Sequence, residues 1–143
     1  MSVQQKIKDI VQTIDGLDYM YNDWTRANVE FDFDKVKFPV CLSVLPVSGQ
    51  LYNHNGNFRD YPNCLIAFLD LADLDFDGEE NDSTVERMKD YAKKFVIAIN
   101  KSKQFAPIPE TIPYSVVYDM LDQNLTGVTI QVQLKELIGD CVL

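Results

Sequence analysis

Two hydrophobic periods take turns along this chain. Ile7, Ile10, Val11 and Ile14 recur at i, i+3, i+4 and i+7, the spacing of one helix face. Ser2 and Gln5 make a capping box ahead of them, and Asp15-Gly16 supplies a stop, so a helix is expected over 3–14. The period then shortens to two. Val29, Phe31 and Phe33 alternate with Asn28, Glu30, Asp32 and Asp34, which predicts a half-buried strand with an acidic outer face. Trp24, the sole tryptophan, reads as a structural anchor. "FPVCLSVLPV" (38–47) is apolar on both strand faces, with Val40, Leu42 and Val44 on one and Cys41, Leu45 and Val47 on the other. "CLIAFLDLADLDFD" (64–77) opens on six apolar residues, the mark of a strand covered on both sides. Between them, "SGQLYNHNGNFRDYPN" reads as a loop or hairpin tip.

The helical period returns after residue 82. Ser83 and Glu86 form a second capping box. Val85, Met88, Tyr91, Ala92, Phe95 and Ile99 make the buried stripe, with Glu86, Lys89, Asp90, Lys93 and Lys94 facing water. "QFAPIPETIP" is a proline-spaced connector that cannot continue the helix. The last element is a hairpin turning near Gln123-Asn124. In it Val128, Ile130, Val132 and Leu134 alternate with Thr129, Gln131, Gln133 and Lys135. The expected architecture is a single α+β domain over 1–143, a largely antiparallel sheet with two helices packed on it, in the order α-β-β-β-α-β-β. Two helices leave the apolar middle strands short of cover. The expectation is therefore that the sheet folds over on itself or that a second subunit completes it.

At 143 residues and 46% hydrophobic, the chain can build a core without disulfides. A net charge of −9 argues against gripping phosphates or anionic membranes. It is compatible with DNA sliding past, because an acidic wall repels phosphate. Cys41, Cys64 and Cys141 are odd in number, and the first two lie in apolar runs, so buried free thiols fit better than a Cys41–Cys64 disulfide. The N-terminus has no signal-peptide apolar core and no run approaches 18 apolar residues, so no membrane association is expected.

The acidic stretch 70–88 begins with Asp73-x-Asp75-x-Asp77-Gly78, the opening of a calcium loop. The twelfth position is Thr84 where a bidentate Glu is needed, the eighth is Glu80 where an apolar residue is usual, and a strand precedes it. The reading that uses more residues is an extended strand with Leu74 and Phe76 inward and Asp73, Asp75 and Asp77 outward. Glu79, Glu80 and Asp82 then sit at a helix start. The alternative is a small soluble binding module holding a divalent cation on the 73–79 stretch through Asp73, Asp75, Asp77 and Glu79. His54 is the only histidine and has no ligand or nucleophile at useful spacing, and there is no P-loop or G-x-G-x-x-G. A carboxylate hydrolase would need two acids converging in a cleft, which spacing alone does not show. No catalytic set, cofactor or metal is expected. In the 49–62 loop, Leu51, Tyr52, His54, Phe58 and Tyr61 are candidates for a partner contact or for a loop packed on its own aromatics.

The C-terminal "VVYDMLDQNLTGVTIQVQLKEL" followed by "GDCVL" resembles neck and tail-completion proteins of phages and prophages of gut Bacteroidetes. Residue similarity is carried by Tyr118 to Glu136. The element order is similar to that of tail terminator proteins of long-tailed phages, with "FPVCLSVLPV" and "CLIAFLDL" fitting the same scheme. The resemblance implies a virion structural protein without catalytic residues, made in the host cytoplasm and placed at the tail or neck. It implies a homo-oligomeric ring, commonly hexameric, between tail tube and connector proteins, with DNA passing through unbound. In such a ring Asp73, Asp75 and Asp77 are the candidates to face the lumen.

Overall fold

The computed structural model describes residues 2–33, 36–72 and 77–141. The fold begins as its periodicity predicts. Helix α1 (Val3–Val11) is capped by Ser2, whose hydroxyl accepts from Gln5 N, and it buries Ile7, Ile10 and Val11. The chain turns at Gly16, whose positive φ suits a glycine, and enters strand β1 (Asp18–Asn22).

The strand expected over 28–34 is instead helix α2 (Trp24–Asp32). Asp23 caps it by accepting from Arg26 N at 2.7 Å. Ala27 and Phe31, four residues apart, are buried, and Trp24 packs beside them. Val29 and Phe33, which a strand would bury with Phe31, are 49% and 71% exposed. The alternation is a by-product of the helix. Trp24 is the anchor it was expected to be.

Strand β2 (Val40–Val44) follows. Strand β3 (Gly49–His54) and strand β4 (Asn57–Leu71) then form one long hairpin. Helix α3 (Gly78–Ser102) is followed by β5 (Tyr114–Met120), β6 (Leu125–Gln133) and the short β7 (Asp140–Cys141). The main sheet runs β1-β2-β4-β6-β5, and β3 and β7 pair with the first part of β4. Among the described residues only β1–β2 is parallel. The fold class is α+β with a largely antiparallel sheet. The described residues form three helices, not two, and the first strand lies at 18–22.

The third helix changes the argument about cover. Helices α1 and α3 pack on one face against Cys41, Cys64, Ile66, Phe68, Val128, Ile130 and Val132. Helix α2 packs on the other, over Met20, Val40, Leu42, Ala67, Leu69 and Leu125. Both faces of the middle strands are thus covered within one chain where the sheet is most apolar, and no second subunit is needed there. Beyond α2 that face turns polar, ending in Gln131 and Gln133 on β6.

Candidate functional site

Strand β4 is 15 residues long, and its two halves have different surroundings. Residues 63–71 pair with β6 in the core. Residues 57–62 pair with β3, whose six residues are all exposed. The first half of β4 therefore leaves the core as a ribbon. Asn55 and Gly56, both at positive φ, make the two-residue turn at its tip, and Asn53 Oδ1 accepts from Gly56 N at 2.9 Å. The segment after β6 flanks the ribbon's other edge, through Leu134 N donating to Pro62 O and through β7 opposite Asn57 and Phe58.

The pairing register sorts the arm's side chains into two faces. Gln50, Tyr52, His54, Arg59 and Tyr61 share one. Leu51, Asn53, Phe58 and Asp60 share the other. On the first, Tyr52 stacks on Tyr61 with centroids 5.8 Å apart and on His54 at 6.4 Å, so the three rings form a row. The Arg59 guanidinium lies 5.7 Å from the Tyr52 ring and Lys135 Nζ 5.8 Å from that of Tyr61. The five residues expected as a contact loop are therefore divided. Tyr52, His54 and Tyr61 come together, while Leu51, 72% exposed, and Phe58 look the other way. Sequence reading missed Arg59 and Lys135. The Asn-Gly pair flanked by strand formers was the available signal for the hairpin, and from its register Arg59 follows.

The arm is tied to the body at its base. Lys6 Nζ on α1 and Glu136 Oε2 pair at 2.6 Å, both largely buried. Glu136 Oε1 accepts from Asp60 N at 2.7 Å, so one carboxylate holds both α1 and β4. Burial, and then the charge of Glu136, push the Asp60 carboxyl above its ordinary value.

Asp73 and Asp75 lie outside the described residues, as do Leu74 and Phe76. Asp77 is described, and it is not a strand residue. It is the N-cap of α3, accepting from Glu80 N at 2.9 Å, six residues before the expected Ser83 cap. Glu79 and Glu80 then fall in the first turn, where the helix dipole favours them. Among the described residues, no three His, Cys, Asp or Glu side chains converge as a metal site. Cys41 and Cys64 are free and buried. Burial pushes the Cys64 thiol up to about 12 and raises Cys41 as well, which keeps both protonated and inert. The side chain of Cys141 is not described.

A second open surface lies between α3 and the edge strand β5. It is an apolar groove of about 500 Å³ walled by Ala92, Val96, Ile97, Ile112 and Tyr114, with Lys89 and Lys93 at its rim. Lys89 Nζ sits 4.7 Å from the Tyr114 ring. Among the described residues no helix is long and apolar enough to cross a membrane. No protein-family model matches the chain, and no curated protein matches it.

Proposed function

We propose that this chain is a structural subunit of a phage virion, a ring-forming tail terminator or neck component joining the tail tube to the head connector. The observation that carries the reading is the arm. The ribbon is backed by β7 and the segment after β6 along the β4 side only, and it keeps every residue of β3 exposed beside a row of rings. A surface of that kind is ordered and retained when it meets a partner. The β5 edge and the apolar groove beside it add a second unpartnered surface on the same subunit. Two unlike open surfaces on each copy suit head-to-tail assembly, which gives a ring where the rotation between copies closes.

Two further features agree. The stretch that carries the phage resemblance, Tyr118 to Glu136, falls on the β5–β6 hairpin and its continuation to the base of the arm. The net charge of −9 lets DNA pass a ring of such subunits without adhering. The test is placement in the particle. Antibody or gold labelling of virions should mark the junction between head and tail. Label spread along the tail tube, or absent from purified virions, overturns the assignment.

A further inference from the structure

The arm's ring-bearing face carries cations beside its rings. It brings Arg59, Lys135 and His54 together on a chain of net charge −9, and its register places no carboxylate on that face. Among the described residues neither Arg59 nor Lys135 forms an ion pair. The opposite extreme of charge lies at the start of α3, where Asp77, Glu79, Glu80 and Asp82 are all exposed within six residues.

These two surfaces lie at opposite ends of β4. The arm is built on residues 57–62, and α3 begins after the strand's other end at Leu71. Among the described residues no ion pair joins the two surfaces within one chain.

We infer that the cation-and-ring face of the arm docks on the acidic start of α3 of a second copy of this chain. Opposite charges steer the two surfaces together and fix their register. The rings stiffen the ribbon that carries the cations. Tyr52 lies in the row with Tyr61 and His54, and the Arg59 guanidinium is beside it. The net charge of −9 favours an acidic protein surface over nucleic acid, whose phosphates the rest of the chain repels. The contact rests on the assembly reading above and names the surfaces that make it.

The test is a charge swap read by sedimentation of the full chain. Arg59→Glu with Lys135→Glu should weaken self-association at least about tenfold. Glu79→Lys with Asp82→Lys, which leaves the Asp77–Glu80 cap in place, should do the same from the other surface. Mixing the two variants should restore assembly, because each supplies the charge the other lacks. Raising salt to about 0.5 M should weaken the wild-type contact. Unchanged association in both variants overturns the inference and leaves the ring reading standing. Restoration by mixing, but as a closed dimer, supports the contact and contradicts the ring. Arg59-dependent binding of a labelled oligothymidine, with self-association untouched, overturns it in favour of nucleic acid.

Discussion

At the scale of single residues, the most consequential arrangement is the buried pair at the arm's base. Glu136 answers the Lys6 ammonium with one oxygen and the Asp60 backbone N–H with the other. Removing one partner of such a pair is costly because the other charge stays buried. Asp60 is the cost of this design, because its own carboxylate sits near Glu136. Its pKa is raised in the fold, by burial first and by Glu136 second. The folded state therefore holds the Asp60 proton more tightly than the unfolded chain. Its penalty is absent below the ordinary value of 3.8 and appears as pH rises from there through the raised value. Asp60→Asn should thus be more stable relative to wild type at about pH 7 than at about pH 3, by urea denaturation at both. An equal difference at both pH values would show that the carboxyl is not perturbed. None of this was legible in the sequence. Lys6 and Glu136 are 130 residues apart, and each looks like an ordinary surface charge.

At the scale of elements, α2 shows how a period can mislead. Val29, Phe31 and Phe33 alternate as a strand would, but only Phe31 is buried. The set that decides the structure is Trp24, Ala27 and Phe31, at i, i+3 and i+7 behind an Asp23 cap. Phe31→Ala should cost about 3–5 kcal/mol in denaturation experiments, whereas Phe33→Ala should lie within about 0.5 kcal/mol of wild type. Comparable losses at both positions would restore the strand. Helix α1 was legible because its cap and its stripe agree. The stripe of α3 was legible too, with Val85, Met88, Ala92, Phe95 and Ile99 all buried. Its start was not, since Asp77 and Ser83 are both competent caps and spacing alone does not separate them. The arm was hidden for a different reason. Residues 49–54 face no core, so nothing makes their side chains alternate, and Leu51 beside Tyr52 reads as loop. Gly127 is a close-approach glycine that no pattern announces, where any side chain would run into the Phe68 carbonyl of the neighbouring strand.

At the scale of the whole molecule, the three helices alter what assembly has to achieve. Copies are not needed to cover the central strands, since α1 and α3 cover one face and α2 the other. What remains open is the arm at one end of β4, the acidic start of α3 at the other, and the β5 edge with its groove. In the proposed assembly, association is a contact between finished subunits, and each copy should fold before it assembles. In that assembly the subunits join through the arm. The direct measurement is light scattering of the full chain over a dilution series, beside a variant in which a two-residue turn replaces residues 50–61. Assembly through the arm predicts one ring-sized multiple of 16.4 kDa for the full chain and a folded monomer for the variant. A full chain that stays at 16.4 kDa at every concentration, or a shortened chain that still forms the same multiple, would contradict it.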